Sequence, residues 1–208
     1  MIRLIVFLLC AAGFGFFVMR SLRLKRHLPK LVLLDRDGVI NVDRSDYVKS
    51  KGEFEFIPGS IEAIKLLNKA RVKVIVVTNQ GGIGKGLYTH EDLEDIHQHM
   101  KDGLKVGGAH VDQIFICADH PDSPSHRRKP NPGMIEEALD QTKTRPEEAH
   151  MIGDDMRDLL PALQCGVHRH LVLTGKGKKT LKDPELQSVS AFKVHANLLE
   201  AIKEILKV

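Results

Sequence analysis

The sequence predicts an α/β protein built on a parallel sheet, and three observations lead to that class. The run Leu31–Leu34 has four apolar residues, too few for a helix and typical of a strand buried on both faces. A helical pattern begins after Gly59, and a β-branched run follows at Val72–Val77. Strand, helix and strand within about fifty residues indicate a right-handed βαβ unit with parallel strands. We therefore expect a three-layer α/β sandwich with a Rossmann-like sheet.

Length and composition indicate one globular domain with a full core. The chain has 208 residues, of which 42% are hydrophobic and 28% charged, an ordinary composition for such a domain. The net charge is +4, with no basic stripe interleaved with aromatics, which argues against a nucleic-acid partner. The three cysteines form no C-x-x-C pair and indicate a reducing compartment. We expect this domain to occupy residues 29–208.

The N-terminal segment, residues 1–28, departs from that composition. Residues 4–19 are apolar or glycine, and four basic residues follow: Arg20, Arg23, Lys25 and Arg26. Spanning a bilayer takes about 20 residues, and no A-x-A cleavage site follows the run. Two interpretations stay open, a short membrane anchor whose basic flank keeps the domain in the cytoplasm, or a true start at Met19. We expect a cytoplasmic protein that contacts the membrane only if residues 4–19 are translated and retained.

The helix after Gly59 and the segment after the second strand are predicted from spacing. Ile61, Ile64 and Leu67 recur at helical intervals and would face the sheet. Residues 81–86 are glycine-rich and could wrap an anion with backbone N–H groups. Their spacing fits neither a P-loop nor a dinucleotide fingerprint. A flexible connector is the favoured interpretation.

The long helix that follows is predicted to be polar and exposed. Thr89 provides an N-cap, and the helix is expected to run to about Val106. His97 and His99 lie two positions apart and so do not share a face. We interpret both histidines as solvent-exposed.

The second half continues the alternation of strands and helices. Asn131 is expected to cap a helix with Pro132 in its first turn. The remaining predicted elements are strands at 111–117, 150–155 and 167–173, a lysine-rich loop at 175–182 and an amphipathic helix at 196–207.

Reactive side chains stand near the ends of four successive strands. They are Asp35 and Asp37, Thr78 and Asn79, Arg128 and Lys129 one loop further on, and Asp154 and Asp155. The carboxyl ends of parallel strands share one edge of a sheet, where ligands bind. We therefore expect these groups to converge on one cleft, and their chemistry fits phosphoryl transfer.

Each type of side chain suggests a role in that reaction. Asp35 can attack phosphorus as a carboxylate nucleophile and form an aspartyl-phosphate. Asp37 can protonate the leaving alkoxide and then deprotonate the attacking water. Thr78 and Asn79 offer neutral hydrogen bonds to phosphate oxygens, and Lys129 supplies a point charge.

The same cleft is predicted to hold a hard cation. Carboxylates of Asp35 and Asp154, with the backbone carbonyl of Asp37, are oxygen ligands suited to Mg²⁺; Asp155 is a further candidate. A cation also keeps Asp35 ionised beside a second acid. Arg128 provides a planar fork suited to phosphate.

These motifs resemble, in order, the four motifs of the haloacid dehalogenase superfamily of phosphatases. The matching residues are Asp35-Arg-Asp37-Gly-Val, Thr78, Lys129 and Gly153-Asp154-Asp155. Within that superfamily the chain resembles the heptose 1,7-bisphosphate phosphatases. The residues of this closer match lie at 35–41, 46–50, 54–59, 78–86, 128–133 and 173–178. The resemblance extends from about Leu31 to the C-terminus.

The resemblance implies a fold, a reaction and further site residues. It implies the haloacid dehalogenase fold and removal of the C7 phosphate of heptose 1,7-bisphosphate, in lipopolysaccharide-core or ADP-heptose precursor synthesis, by a cytoplasmic monomer. It also implies substrate contacts from Asn79, Gln80, Lys85 and Arg128. Forty residues separate Asp37 from Thr78, so no large cap domain is inserted there and loops must shape the pocket.

One segment departs from the family pattern. Relatives usually hold a structural zinc ahead of the Arg-Lys-Pro motif through Cys-x-His and Cys-x-Cys. Here Asp119 stands at the histidine position, and Ser125 and Arg127 replace the later cysteines. Cys117, His120 and His126 remain only weak zinc candidates because their spacing is unusual. We expect a loop without zinc.

Three other functions are compatible with parts of this pattern. Histidinol-phosphate phosphatases and other small sugar-phosphate phosphatases share the same four motifs. A phospho-accepting receiver also uses acids, Thr and Lys around Mg²⁺, but its lysine comes last, whereas Lys129 precedes Asp154 here. The alternative that is not an enzyme is a membrane-tethered phosphosugar-binding module, but every catalytic position is filled, so nothing in the sequence favours it.

Overall fold

Six parallel strands form a single sheet in the computed structural model, which describes residues 28–208 apart from the side chains of residues 187 and 188. The predicted apolar segment and its basic flank lie outside the described residues, so the proposed domain boundary stays a prediction. The sheet order is β3-β2-β1-β4-β5-β6. The strands are β1 Leu31–Leu34, β2 Lys73–Asn79, β3 Gln113–Cys117, β4 Ala149–Gly153, β5 His168–Val172 and β6 Phe192–His195.

Helices connect these strands and cover both faces of the sheet. They are α1 Ser60–Lys69, α2 Gly81–Gly84, α3 His90–Val106, α4 Gly133–Thr142, α5 Met156–Gln164, α6 Gly177–Thr180 and α7 Leu198–Leu206. Short 3-10 turns lie at Lys51–Glu53, Pro146–Glu148 and Pro184–Ser188. The predicted cap of α3 is present, because the Thr89 hydroxyl accepts from the Asp92 N–H at 3.1 Å. The Asp92 carboxylate in turn accepts from the Thr89 N–H at 2.8 Å, which completes a capping box.

Burial on both faces explains the apolar composition of β1. Val32 and Leu34 belong to the core that α1, α3 and α7 complete on one face. Leu31 and Leu33 point to the other face, where they join the core completed by α4 and α5. All four side chains have no exposed surface. The predicted class, a Rossmann-like α/β sandwich, is confirmed.

The topology reverses direction at β1, and this determines where a ligand can bind. β1 pairs with β2 on one side and with β4 on the other. The chain therefore winds outward from β1 to β3, returns to β4, and winds the opposite way to β6. Open parallel sheets bind ligands beyond the carboxyl ends of the strands at such a reversal. Asp35 and Asp154 directly follow the two strands that meet there.

Three local expectations were wrong. Asn131 does not cap α4, which begins at Gly133 with Pro132 in the cap position. The Asn131 amide instead donates to the Ser125 carbonyl at 2.7 Å, which satisfies it within the preceding loop. The glycine-rich connector contains the short helix α2, and the predicted lysine-rich loop contains α6. The strand β6 was not predicted. Among the described residues, no helix is long and apolar enough to cross a membrane.

Candidate active site

A cleft of about 340 Å³ opens at the carboxyl edge of the sheet, where β1 and β4 end. Eight of the predicted site residues line it: Asp35, Asp37, Thr78, Asn79, Arg128, Lys129, Asp154 and Asp155. These side chains come from four segments that are far apart in the chain. The parallel sheet brings them together because its strands end on one edge.

Lys129 forms the positive centre of the cleft. Its Nζ lies 2.9 Å from Asp35 Oδ1 and 2.6 Å from Asp158 Oδ1, and it donates to the Val77 carbonyl at 2.8 Å. Burial disfavours its charge, but the carboxylates of Asp158 and Asp35 outweigh that effect and raise the pKa of Lys129 above its ordinary value. Lys129 is therefore a fixed cation directed at the predicted nucleophile.

Three acids crowd around that lysine. Oxygen atoms from the carboxylates of Asp35, Asp154 and Asp158 all lie within 4.8 Å of one another. Burial raises the pKa of Asp35 to about 7, with Lys129 opposing and Asp158 and Asp37 adding to the rise. Burial, followed by repulsion from Asp158 and Asp35, raises the pKa of Asp154 to about 8. One lysine does not compensate this much negative charge, so the site suits a further cation.

The individual oxygen atoms show which of the acids could bind such a cation. Asp158 uses one oxygen for Lys129 and the other for the Asp155 N–H at 3.1 Å. Asp35 Oδ1 accepts from the Arg36 N–H at 2.8 Å, and Asp154 Oδ2 accepts from the Lys176 N–H at 2.6 Å. Within the described part of the chain, the second oxygen of Asp35 and of Asp154 accepts no hydrogen bond. Those two oxygens fit a hard metal ion.

Two glycines make room for the Asp154 carboxylate. A Cβ added to Gly38 or to Gly175 would clash with Asp154 Oδ2. Both glycines also adopt positive φ, 84° and 52° respectively, a region that favours glycine. The carboxylate is thus held between two backbone segments at the edge of the cleft.

Asp37 has a different environment from the other acids. Arg36 Nη2 donates to both of its oxygens, at 2.9 and 3.0 Å. Asn41 and Gln80 add one amide N–H each, at 2.9 and 3.0 Å. Burial alone would raise the pKa of Asp37, but the Arg36 charge and these donors lower it below its ordinary value.

The polar residues after β2 hold this arrangement in place. The Asn79 amide donates to the Lys129 carbonyl at 2.8 Å and accepts from the Lys129 N–H at 3.1 Å. The buried Gln80 amide donates to Thr78 Oγ1 at 2.9 Å and accepts from the Tyr88 hydroxyl at 2.7 Å. Thr78 therefore keeps its own hydroxyl hydrogen for another acceptor. Asn79 positions the Lys129 loop, and Gln80 positions Asp37 and Thr78.

The other predicted substrate contacts are distributed unevenly. Arg128 lines the cleft, and its Nη1 donates to the Asp119 carbonyl at 3.3 Å. Lys85 lies over the ring of Tyr47, 5.4 Å from its centroid, and Tyr47 is the one of this pair that lines the cleft. Gln80 does not line the cleft either, because its amide is occupied within the protein.

The acid after Asp154 forms a helix cap. The Asp155 carboxylate accepts from the Arg157 N–H at 3.1 Å and pairs with the Arg157 guanidinium at 2.9 Å. It is therefore outside the group of three acids that approach one another.

The zinc candidates point to different partners. Cys117 Sγ donates to Asp119 at 3.4 Å, His120 Nδ1 accepts from the Asp122 N–H at 3.2 Å, and His126 Nε2 lies 2.8 Å from Glu136. The expectation that this loop holds no zinc stays a prediction.

Sequence reasoning missed several residues of the site. Asp158 was overlooked as a site residue, although its position in the first turn after a strand-end acid and its capping-box spacing with Asp155 are visible signals. Lys176 contacts Asp154 through its N–H and Asp43 through Nζ at 3.0 Å. Its segment was predicted as a lysine-rich loop and as part of the family match, but without a role in the site. The prediction that His97 is exposed is wrong, since its side chain is buried against Arg36.

The fold and this cleft define a Rossmann-like α/β protein equipped for phosphoryl transfer. Comparison with known proteins agrees. A family model described as HAD-hydrolase-like matches residues 126–201, and one described as polynucleotide kinase 3 phosphatase matches residues 30–159.

Similar proteins and solved structures identify a family within this class of phosphoryl-transfer proteins. The D-glycero-beta-D-manno-heptose-1,7-bisphosphate 7-phosphatases of Neisseria meningitidis and Bordetella bronchiseptica are each 41% identical over 152 residues, covering 73% of this chain and 81% and 85% of theirs. The crystal structure of the D,D-heptose 1,7-bisphosphate phosphatase from B. bronchiseptica, complexed with magnesium and phosphate, is 37% identical with a TM-score of 0.81, covering 86% of this chain and 98% of that one. The enzyme from Burkholderia thailandensis is 35% identical with a TM-score of 0.66, covering 86% and 99%. The chain belongs to the haloacid dehalogenase superfamily and, within it, to the family of the D-glycero-beta-D-manno-heptose-1,7-bisphosphate 7-phosphatases.

Proposed function

We propose that this protein is a Mg²⁺-dependent phosphatase that removes the C7 phosphate from D-glycero-beta-D-manno-heptose 1,7-bisphosphate. The observation that carries the proposal is the Asp35 carboxylate, positioned 2.9 Å from the buried Lys129 in a chain 41% identical to phosphatases of that name. The product would feed lipopolysaccharide-core or ADP-heptose precursor synthesis. We further propose that the domain lies in the cytoplasm, where the basic cluster after residues 4–19 would keep it if that segment spans a membrane. We also propose a monomer, the state that the family resemblance implies.

The proposed reaction begins at Asp35. Its carboxylate attacks phosphorus, the bond from phosphorus to the sugar oxygen breaks, and an aspartyl-phosphate forms. Lys129 lies beside the attacking oxygen and offsets negative charge on the transferring group. The Thr78 hydroxyl hydrogen is available to a phosphate oxygen, and Arg128 offers a guanidinium from the wall of the cleft.

Asp37 is proposed to transfer the protons. In the first step it gives a proton to the leaving sugar alkoxide, and in the second it takes one from the water that hydrolyses the aspartyl-phosphate. Arg36, Asn41 and Gln80 hold this carboxylate in one orientation. Their donors favour its charged form, which is the state needed in the second step. The proton that Asp37 gives in the first step is the one that it took from water in the preceding turnover, so Asp37 must be protonated when the substrate reacts.

Mg²⁺ fits the acids next to this site. Asp35 and Asp154 would hold it through their uncommitted oxygens, with the Asp37 carbonyl as a further ligand, while Asp158 is occupied by Lys129. When bound, the ion neutralises charge on the phosphate oxygens and keeps the crowded carboxylates ionised.

A parallel assay tests the proposal. Phosphate release with Mg²⁺ would be measured from heptose 1,7-bisphosphate, histidinol phosphate, a generic aryl phosphate and a 3′-phosphorylated oligonucleotide. We include the oligonucleotide because the polynucleotide phosphatase family model matches residues 30–159. We expect kcat/KM to favour the heptose by about a hundredfold or more, about 2.7 kcal/mol of transition-state discrimination.

The other outcomes are equally informative. Preference for histidinol phosphate or for the oligonucleotide would replace the substrate and keep the chemistry. Binding of the heptose without any phosphate release would favour a phosphosugar-binding module instead. Release of phosphate at C1 rather than C7 would contradict the proposed position of attack.

A further inference from the structure

A buried cation, Arg36, directly follows the predicted nucleophile Asp35 at the end of β1. Arg36 has no exposed surface, and two of its nitrogens have partners in the protein. Nη2 donates to both oxygens of Asp37, and Nη1 lies 3.2 Å from His97 Nε2. The remaining nitrogen, Nε, has no hydrogen-bond partner within the described residues. Each of the two existing contacts is therefore important for holding the guanidinium in place.

His97 reaches this site from α3, sixty-one residues further along the chain. The side chain is only 7% exposed and lies on the buried face of the helix with Ile96 and Met100. A guanidinium has only donors, so the Nε2 atom that faces it must carry the lone pair and Nδ1 the hydrogen. Burial, followed by repulsion from Arg36 and Lys101, lowers the pKa of His97 to about 3, consistent with a neutral acceptor.

We propose that His97 is a positioning residue for the reaction, because its imidazole fixes the Arg36 guanidinium that orients the Asp37 carboxylate. The inference rests on the proposed function through the role of Asp37 in proton transfer. Two contacts from different directions, Asp37 on one nitrogen and His97 on another, define the plane of the guanidinium. Without His97, the Nη1 group of Arg36 loses its acceptor, in addition to the Nε group that already lacks one. The guanidinium would then be held only by Asp37, the residue that it has to orient.

The simpler explanation is that His97 only fills space in the core beside Ile96. The two explanations differ in what a substitution must preserve. A packing role requires volume, so an apolar side chain of similar size would serve. A positioning role requires an acceptor at the place of Nε2, which a glutamine amide oxygen can supply and a leucine cannot.

The test compares His97→Leu with His97→Gln, using the full chain with Mg²⁺ and the preferred substrate of the assay above. We expect kcat of H97L to fall about tenfold to a hundredfold, as for other groups that orient a reacting residue, with KM within about threefold of wild type. H97Q should recover most of that loss. His99→Leu, the same substitution at an exposed position two residues away, serves as the control and should match wild type.

Several outcomes would overturn the inference. H97L with the kcat of wild type, or H97L and H97Q with equal losses that follow their melting temperatures, would leave His97 as a packing residue. If H97L does not fold, nitrogen NMR of the wild-type imidazole decides: a hydrogen on His97 Nε2 at pH 7 contradicts the contact, and a lone pair there supports it. Wild-type protein that releases no phosphate from any substrate would overturn the proposed function itself, and is distinguishable from these results.

Discussion

The cleft buries acids and cations together, whereas β4, β5 and β6 contain a row of three histidines, of which His170 and His195 are buried and His150 is partly buried. In the row, His150 Nδ1 lies 2.8 Å from His170 Nε2, and His170 Nδ1 lies 2.9 Å from His195 Nε2. His195 Nδ1 approaches the Glu204 carboxylate of α7 at 3.5 Å. Since a carboxylate favours the hydrogen on that Nδ1, each ring can donate from Nδ1 and accept at Nε2 along the whole row.

The row of histidines and the cleft differ in the charge of their buried side chains. Burial and the neighbouring histidines lower the pKa of His170 to about 2, and burial lowers that of His150 to about 4. The neutral rings then hydrogen-bond one another, with the Glu204 carboxylate facing the last ring. In the cleft, burial raises the pKa values of Asp35 and Asp154, and repulsion between neighbouring acids adds to the rise. The histidines of the row satisfy their hydrogen bonds within the protein, while the excess negative charge of the cleft suits a ligand that brings positive charge.

The largest expected effect concerns the cleft. Asp35→Asn should lower kcat by at least about 10⁴-fold, because the amide cannot replace the carboxylate nucleophile. The fold should persist, since Lys129 keeps its ion pair with Asp158. Phosphate release and a thermal melt measure the two quantities. Asp140→Asn, at an acid that is 79% exposed, is the matched control, and turnover by D35N near the wild-type rate would remove Asp35 as the nucleophile.

A second prediction tests how much the charge pairing contributes to stability. Lys129→Met should reduce the free energy of unfolding by about 3–5 kcal/mol, because it leaves buried carboxylates without their cation. Urea denaturation measures this, with Lys143→Met as control at an ion pair whose lysine is 80% exposed. That control should change stability by less than about 1 kcal/mol. A loss in K129M no larger than in the control would mean that the cleft acids are not held by Lys129.

Metal removal should affect the cleft but not the row of histidines. EDTA should abolish turnover, and returning Mg²⁺ at about a hundred times its Kd should stabilise the fold by about 2.7 kcal/mol. His170→Phe should gain the same stabilisation, since that residue is in the row of histidines. Asp154→Asn should gain little, because it lacks a ligand oxygen. Equal stabilisation of D154N by Mg²⁺ in thermal melts would place the ion elsewhere.

The smallest effect is a pH dependence of stability. The folded-state pKa values of His150 and His170 are depressed below the ordinary value near 6.5, so their contribution is present above pH 6.5 and is lost as the pH falls toward 4. Each histidine adds a slope of up to about 1.4 kcal/mol per pH unit in that window. His168, His195 and Lys193 face the same rings and are unchanged by the substitution used.

His170→Phe should therefore flatten the curve of unfolding free energy against pH between about 6 and 4. The difference between wild type and variant is the quantity to measure, because Asp35 and Asp154 titrate in both proteins with the opposite sign. His90→Phe, at an exposed histidine, should leave the slope as in wild type. Parallel curves for H170F and wild type would show that the row does not depress the pKa of His170.

Local sequence determined much of the architecture and the principal acids of the cleft. The apolar run Leu31–Leu34 and the β-branched run Val72–Val77 identify buried strands because burial on both faces excludes polar side chains. Placing Asp35 and Asp154 directly after strands then places them in one cleft, since parallel strands end on one edge. Their convergence in the structure follows from chain order and needed no contact information.

Tertiary structure alone decided which polar residues support those acids. Nothing near His97 in the sequence shows that a helix face will meet Arg36, and nothing near His150 shows that it will meet His170. Asp158 reaches Lys129 across twenty-nine residues. Periodicity records which face of an element is buried, but a hydrogen bond depends on the packing of two elements to within a few tenths of an ångström. That packing is a property of the whole fold, so the partners of buried polar groups emerge only once the elements have docked.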